Sequence, residues 1–162
     1  MTNIKQEYKW FFKIIAGMLT SVLGVSLLCG HAQASSTMYI STQEELEEEF
    51  YYDSLEAMAL CVMAEAGGEC DQGIRLVVDT ILNRVDSDEF PDSIWGVIYQ
   101  PYAFSCVGNG MIDRVEPTET VFRIIVEELE NRTDYKPLYF RTERYADYGK
   151  PLYKVGNHYF SE

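Results

Sequence analysis

IRLVVDTILNRV, residues 74–85, is the most regular stretch of this sequence of 162 residues. Its large aliphatic residues recur at intervals of three and four positions, which places them on one face of an α-helix. These residues are Ile74, Val77, Val78, Ile81, Leu82 and Val85. We predict that the segment forms a helix of the hydrophobic core.

A second helix is predicted immediately before this one. Asp53 and Glu56 have the spacing of a capping box, so the helix is expected to begin at Asp53. Its apolar residues at helical intervals are Leu55, Met58, Ala59 and Val62. Gly67 and Gly68 are expected to end the helix, which places Glu65 in its last turn, beside the apolar stripe.

Two further helices are predicted towards the C-terminus. Asp92 is expected to cap a short helix that carries Trp95 as a core residue and ends before Pro101. A longer amphipathic helix is predicted over residues 117–131. Its inward-facing residues are Val121, Ile124, Ile125 and Leu129.

The other segments after residue 100 have extended patterns. Residues 102–110 are expected to run as an extended segment into a loop. Two aromatic-rich runs, residues 138–142 and 155–161, predict a β-hairpin with a long loop. The predicted fold class is therefore α+β, mostly helical with a small β-hairpin, in one domain of residues 53–162.

The first 34 residues have the character of a signal peptide. Lysines precede an uncharged run at residues 14–28, and Ala32 and Ala34 form a small-x-small site, so cleavage is expected after Ala34. The run is shorter than the roughly 20 residues that span a bilayer as a helix, although an uncleaved anchor remains an alternative. Lipidation at Cys29 is also open, but the residues before it fit that pattern poorly.

Residues 35–52 are rich in glutamate and predict an acidic linker, either mobile or a solvated helix. The formal net charge of the chain is −13. An acidic surface repels phosphate backbones, which argues against a nucleic-acid partner and leaves an uncharged glycan acceptable. Membrane contact is expected only through the signal peptide, and only transiently.

Glu65 is the first candidate for chemistry. A carboxyl group at a helix C-terminus, beside apolar side chains, is disfavoured as an anion by burial and by the negative end of the helix. Such a group can hold a proton at neutral pH and deliver it to a glycosidic oxygen, the general-acid step of glycan cleavage. Periodicity alone does not separate this role from that of an ordinary helix-end residue.

Six short motifs occur in the order typical of one family. They are AEAGGE (64–69), LNRV (82–85), FP (90–91), GVIYQ (96–100), FS (104–105) and GNHYF (156–160). Over residues 55–161 the chain resembles the catalytic domain of the spore cortex-lytic enzyme and related cell-wall hydrolases. The resemblance implies a lysozyme-like fold with Glu65 as the catalytic residue. The chain departs from the family pattern at Gly67, where a basic residue is common, and at Cys70 and Cys106.

The activity implied by the resemblance is cleavage of peptidoglycan glycan strands between N-acetylmuramic acid and N-acetylglucosamine by lytic transglycosylation. One carboxyl group suffices, because a hydroxyl of the muramic sugar attacks the anomeric carbon and Glu65 acts first as acid and then as base. Hydrolysis of the lysozyme type would need a second carboxylate, for which Glu69 and Asp113 are candidates. We expect no cofactor or metal, and a secreted monomer that acts on the cell wall or the spore cortex.

Other residues are expected to line the sugar groove. Phe104 and Ser105 follow Gln100, where an aromatic face, a hydroxyl and an amide could contact sugar, and the hairpin would wall the cleft opposite Glu65. The predicted substrate-binding residues are Glu69, Gln100, Phe104, Ser105, Tyr139, Asn157 and His158. Asn83 and Arg84, at the end of the strongest helix, are interpreted as structural.

Three cysteines follow the predicted cleavage site. Cys70 and Cys106 are both expected near the cleft and are the favoured disulfide, with Cys61 as a buried free thiol. This bond would close a loop of about 37 residues and contribute roughly 3 to 4 kcal/mol. Other pairings remain open.

Other functions remain as alternatives. A cysteine peptidase using Cys61 or Cys106 with His158 lacks the motif context. A zinc site from the cysteines and His158 lacks the close cysteine pairs of structural zinc sites. The principal alternative is a non-catalytic wall-binding or spore-structure protein that retains the fold, against which the intact Glu65 argues.

Overall fold

The computed structural model describes the backbone of residues 34–162, with side chains described at Leu46 and from residue 50 onward. A compact unit spans Ser54–Glu162, and residues up to Asp53 belong to a separate unit. The predicted signal peptide lies outside the described residues, apart from Ala34. In the described part of the chain, no helix combines the length and apolar character needed to cross a membrane.

The first helix, α1, runs from Ala34 to Ala66. The prediction that it begins at Asp53 is wrong. Residues 35–52 contain neither proline nor glycine and are rich in good helix formers, so nothing interrupts the helix before Asp53. The acidic segment is therefore helical, and Gly67 follows the end of the helix as predicted.

Helix α2, Asp71–Val85, is the centre of the core. Its predicted stripe is buried from Ile74 to Leu82, as the periodicity requires. Helix α3, Ile94–Tyr99, and helix α5, Glu119–Glu130, both pack against α2. The mostly helical class with a small sheet is confirmed.

Helix α3 differs from its prediction at two positions. The cap is Ser93, whose Oγ accepts a hydrogen bond from the Gly96 N–H at 3.2 Å, and not Asp92. Trp95 was predicted to lie in the core, but it is 42% exposed and stacks on Tyr99 with ring centroids 4.3 Å apart. A six-residue helix has too few turns to bury all of its apolar residues.

Helix α5 is capped by Thr118 and buries Val121, Ile124 and Ile125 as predicted. Leu129, also predicted to face inward, is exposed. The buried position belongs to Glu128, which is 1% exposed and forms an ion pair with Arg75 of α2. A cation on the facing helix thus makes burial of a glutamate possible.

The sheet contains β1, Tyr139–Thr142, β2, Pro151–Val155, and β3, His158–Ser161, in the order β1-β3-β2. Both pairings are antiparallel. The predicted pairing of residues 138–142 with residues 155–161 is present as β1 with β3, but β2 was not predicted. Within the segment predicted to be extended, residues 105–108 form a one-turn helix, α4, Ser105–Gly108.

Candidate active site

A cleft of about 670 Å³ opens between the segment that joins α3 to α4 and the first strand of the sheet. The end of α1 contributes Glu65 to it, and the end of α2 contributes Arg84. Its lining residues are Glu65, Arg84, Phe90, residues 100–105, residues 139–144, Tyr148 and His158. The cleft therefore joins five parts of the chain: Glu65, residues 84–90, residues 100–105, residues 139–148 and His158.

Glu65 lies in the last turn of α1, as predicted, and is half-buried. Its Oε1 accepts hydrogen bonds from the Cys106 N–H at 3.1 Å and from Ser105 Oγ at 3.4 Å. These donors belong to the first turn of α4 and hold the carboxyl group in place at the cleft. Oε2 accepts no hydrogen bond from the described residues, so it is available to a substrate.

Arg84 is a buried cation at the cleft, only 6% exposed. Its Nε donates to the Leu138 carbonyl oxygen at 2.8 Å. Three aromatic rings surround the guanidinium, with centroids 5.1 Å away for Phe90 and Phe104 and 5.7 Å away for Tyr139. Burial lowers the pKa of Arg84, which remains a cation at neutral pH.

Arg84 differs from other described arginines in its partners. Arg75, Arg123 and Arg132 each pair with a carboxylate, whereas Arg84 makes no ion pair with a described residue. Its position at the end of the strongest predicted helix predicts a structural role. Its cation–π contacts agree with that role, and its position at the cleft adds the capacity to bind an oxygen of a ligand.

Five of the predicted substrate-binding residues lie at the cleft with Glu65. They are Gln100, Phe104, Ser105, Tyr139 and His158. Phe104 is buried and packs on Phe140 with centroids 6.1 Å apart, so it supports the wall of the cleft. Ser105 differs, because its hydroxyl contacts the carboxyl group of Glu65 directly.

Glu69 and Asn157 were also predicted to bind substrate, but neither lines this cleft. The Asn157 N–H donates to Glu69 Oε2 at 3.3 Å, and Asn157 Nδ2 donates to Oε1 at 2.9 Å. The pair connects the loop after α1 with the turn between β2 and β3. Asp113, the other candidate for a second carboxylate, is exposed and also lies outside the cleft lining.

Gly156 makes the contact between Glu69 and the β2–β3 turn possible. Its φ is +54°, and a Cβ atom at this position would lie 1.7 Å from Glu69 Oε2. A residue with a side chain would be strained there and would also displace the carboxylate. The backbone conformation therefore requires glycine here, and glycine also leaves room for the carboxylate of Glu69.

His158 lies in β3 and is buried, with its ring edge-on to Phe140 at a centroid distance of 5.2 Å. Burial lowers the pKa of His158, while the charges of Glu69 and Glu65 oppose this effect weakly. Its Nδ1 has no hydrogen-bond partner among the described residues. The neutral ring therefore packs as part of the cleft wall.

Tyr102 and Glu143 line the cleft and were not predicted as site residues. Both have a positive φ, +66° for Tyr102 and +73° for Glu143, a conformation that is strained for residues other than glycine. The Tyr102 ring is fully exposed. Sequence periodicity carries no signal for an isolated left-handed residue, so neither position could be identified from the pattern.

The cysteines differ from the predicted arrangement. Cys61, Cys70 and Cys106 are all free, so the predicted Cys70–Cys106 disulfide is absent. Cys70 is exposed, whereas Cys61 and Cys106 are buried with their Sγ atoms 3.8 Å apart. The contact follows from α1 and α4 meeting at Glu65, a tertiary relation that sequence position does not reveal.

The surroundings of Cys61 disfavour a thiol nucleophile. Its hydrogen bond with Cys106, together with burial, raises the pKa of Cys61, so the thiol stays protonated. Among the residues that the structure describes, no three His, Cys, Asp or Glu side chains are grouped so that they could hold a metal ion.

A mostly helical domain with a small sheet and a glutamate in its cleft is a lysozyme-like fold. Within this class, the family model described as cell wall hydrolase matches residues 68–161. The chain belongs to the cell wall hydrolase family. The matched region begins just after Glu65 and includes Arg84 and the rest of the cleft lining.

Similar proteins include spore cortex-lytic enzymes. The one from Bacillus subtilis is 31% identical over 119 residues, which cover 70% of this chain and 39% of that protein. The one from Halalkalibacterium halodurans is 39% identical over 80 residues, which cover 49% of this chain and 24% of that protein. The chain thus spans less than half the length of these relatives.

Two solved structures share the fold. The catalytic domain of the Bacillus cereus SleB protein has a TM-score of 0.60 and 30% identity, covering 67% of this chain and 89% of that one. The catalytic domain of a germination-specific lytic transglycosylase, SleB from Bacillus anthracis, has a TM-score of 0.59 and 30% identity, covering 67% and 93%.

Proposed function

We propose that this protein cleaves the glycan strands of peptidoglycan between N-acetylmuramic acid and N-acetylglucosamine as a lytic transglycosylase. Glu65 is the catalytic residue. The observation that carries the proposal is the position of Glu65 in the cleft, with Oε1 held by the Cys106 N–H and Oε2 without a partner among the described residues. The names of the relatives and of one structural neighbour support the same activity.

The reaction needs one carboxyl group that gives up a proton and takes one back. Protonated Glu65 donates its proton from Oε2 to the glycosidic oxygen, and the bond from that oxygen to the muramic C1 breaks. The C6 hydroxyl of the same sugar attacks C1 and loses its proton to Glu65, which closes the 1,6-anhydro ring. Between these steps Glu65 is an anion, and the N–H of Cys106 and the hydroxyl of Ser105 stabilise that charge.

The position of other carboxylates favours transglycosylation over hydrolysis. Hydrolysis uses a second carboxylate to activate water or to attack C1. Glu69 is engaged with Asn157, and Asp113 lies outside the cleft lining. Glu143 is the other carboxylate that lines the cleft, and it lies on an exposed loop after β1. Glu143 is therefore the residue whose substitution separates the two mechanisms.

The cleft suits an uncharged sugar chain. The exposed ring of Tyr102 offers an apolar face on which a pyranose can stack, and Gln100 offers an amide. The N–H groups of Arg84 other than Nε donate no hydrogen bond to a described residue, so they are available to a carbonyl or hydroxyl oxygen of the glycan. These groups lie along the walls of the cleft, and all three residues follow Glu65 in the sequence.

The proposal also includes the location and the domain organisation of the protein. The protein would be exported by the signal peptide of residues 1–34 and act as a monomer on the cell wall or the spore cortex. Residues 53–162 would form the catalytic domain, and residues 35–52 would be the acidic linker that precedes it. No cofactor or metal takes part in the proposed steps, and no nucleic acid is expected to bind the acidic surface.

The test compares the protein with its Glu65→Gln and Glu143→Gln variants on purified spore cortex and on vegetative peptidoglycan. Mass spectrometry identifies the released muropeptides. We expect anhydro-ended products from the wild type and from Glu143→Gln, and none from Glu65→Gln. Reducing-end products whose release needs both glutamates would establish hydrolysis instead.

A further outcome would separate catalysis from binding. Sedimentation with insoluble peptidoglycan measures binding without turnover. Binding by the wild type with no released fragment from either substrate would refute the enzymatic proposal and establish the wall-binding alternative. The Glu65→Gln variant should bind as well as the wild type, because the substitution keeps the size and polarity of the side chain.

A further inference from the structure

Two buried cysteines meet beside the candidate catalytic glutamate. The Sγ atoms of Cys61 and Cys106 are 3.8 Å apart, and the residues are separated by 45 positions in the sequence. A disulfide needs a sulfur–sulfur distance of about 2.05 Å, so an approach of less than about 2 Å would form the bond. Cys70, the third described cysteine, is exposed and is not part of this contact.

The position of the pair gives it a relation to Glu65. Cys61 lies one helical turn before Glu65 on α1, and Cys106 lies in the first turn of α4, where its N–H donates to Glu65 Oε1. Helix α4 has a single turn, and so short a helix is not stable by itself. A bond between the two sulfurs would hold this turn against the helix that carries the glutamate.

We propose that Cys61 and Cys106 form a disulfide that fixes the Cys106 amide on the carboxyl group of Glu65. The disulfide itself does not depend on the proposed activity, but its importance for catalysis rests on that activity. It replaces the Cys70–Cys106 bond that the sequence analysis favoured.

Formation of the bond is an oxidation of two thiols by a disulfide, either a small molecule or a thiol–disulfide oxidoreductase. One cysteine, as a thiolate, attacks the oxidant disulfide, forms a mixed disulfide and releases a thiol. The second cysteine then attacks the mixed disulfide, releases a second thiol and closes the Cys61–Cys106 bond. The two cysteines lose two protons and two electrons in total, and the oxidant is reduced to two thiols.

The reaction belongs to the folding stage. In the folded protein both side chains are buried, and the hydrogen bond with Cys106 together with burial raises the pKa of Cys61. Both effects slow thiolate attack once the core has closed. The bond therefore forms while the chain is still partly open, as it would in an oxidising compartment outside the cytoplasm.

The first test refolds the full chain from denaturant in a buffer of oxidised and reduced glutathione. Peptide mapping by mass spectrometry without reductant then identifies cross-linked pairs. We expect one peptide pair joining Cys61 to Cys106, in the wild type and in the matched control Cys70→Ser. A Cys70–Cys106 pair, or recovery of both buried cysteines as free thiols, would overturn the proposal.

The second test measures thermal unfolding with and without reductant. The disulfide would close the loop between Cys61 and Cys106, which are 45 positions apart, and should raise the Tm of the oxidised form by on the order of 10 °C. Wild type and Cys70→Ser should lose this increment with reductant, whereas Cys61→Ala and Cys106→Ala should have the same Tm in both buffers. Equal midpoints for oxidised and reduced wild type would contradict the proposal without reference to any variant.

The third test connects the bond with the activity. At a temperature below both midpoints, where both forms are folded, oxidised wild type and oxidised Cys70→Ser should release muropeptides faster than their reduced forms. Release by the reduced protein equal to that of the oxidised protein would refute the role at Glu65. If neither form releases fragments at any temperature, the proposed function fails, and the peptide map still decides whether the disulfide exists.

Discussion

Replacement of the buried acid Asp79 tests how the stability of this protein depends on pH. Asp79 lies inside α2 with no exposed surface, and its Oδ2 accepts a hydrogen bond from Thr133 Oγ1 at 2.9 Å. Oδ1 has no partner among the described residues. Burial, together with the charge of Glu128, raises the pKa of Asp79 to about 7 from 3.8, against the opposing hydrogen bond from Thr133.

The raised pKa makes stability depend on pH in a definite direction. Between about pH 4 and pH 7 folded Asp79 keeps a proton that the unfolded chain has lost, so the free energy of unfolding falls as the pH rises. Each pH unit corresponds to about 1.4 kcal/mol, and the window of roughly three units amounts to about 4 kcal/mol. Below about pH 4 Asp79 does not reduce the free energy of unfolding, and above about pH 7 the reduction stays constant.

The Asp79→Asn variant removes the titration and retains the local hydrogen bonds. The amide oxygen can accept from Thr133, and the amide nitrogen can donate to Glu128. We expect the variant to match the wild type near pH 4 and to be more stable by up to about 4 kcal/mol at pH 8. Urea unfolding followed by circular dichroism at several pH values measures the difference.

A matched control is Asp86→Asn, an acid whose side chain is 65% exposed and pairs with Arg132. Its effect should stay small across the same pH range, because an exposed ion pair contributes little. An equal difference between Asp79→Asn and wild type at pH 4 and pH 8 would contradict the raised pKa of Asp79. So would a variant that is less stable than the wild type at pH 8.

Three other substitutions test the glycine in the β2–β3 turn, the N-cap of α3 and the cleft. Gly156→Ala should lower the free energy of unfolding by about 1 to 2 kcal/mol, because alanine is strained at a φ of +54°; an unchanged Tm would contradict this strain. Ser93→Ala should cost about 1 kcal/mol in urea unfolding through loss of the α3 cap, and no loss would mean that the cap carries no stability. Arg84→Lys keeps the charge but loses the guanidinium fork, so muropeptide release should fall about tenfold, while release at the wild-type rate would exclude contact between Arg84 and the glycan.

The helical core could be predicted because its signal is local. The apolar residues from Ile74 to Leu82 recur at helical spacing, lie within the single helix α2 and form its buried face. The stripe of α5 was predicted equally well up to Ile125 and then failed at Leu129, because Arg75 on the facing helix makes Glu128 the better buried neighbour. Periodicity identifies the face of a helix, and the partner helix decides where that face ends.

The site could be predicted in part. Glu65, Ser105 and His158 came from motifs and do lie at one cleft. Glu69 and Asn157 came from the same motifs and instead bind each other. The motifs therefore indicated which segments lie close together. The contacts of each side chain depend on the three-dimensional structure, which the motifs do not contain.

Strand β2 and the cysteine contact were missed for a related reason. Strand β2 begins at Pro151, which lies on the edge of the sheet, and proline weakens any strand pattern in the sequence. Cys61 and Cys106 meet because α1 and α4 converge on Glu65, and their separation in the sequence gives no indication of this. Both features are consequences of long-range packing.

The strand order β1-β3-β2 determines when the cleft can assemble during synthesis. Strand β1 contributes its residues to the cleft wall, yet its hydrogen-bond partner is β3, residues 158–161. Neither β1 nor β2 can pair within the sheet until those residues have emerged, and such non-local pairing is slow. The helices can therefore fold while the chain is still being made, whereas the complete cleft cannot form until residues 158–161 have been made.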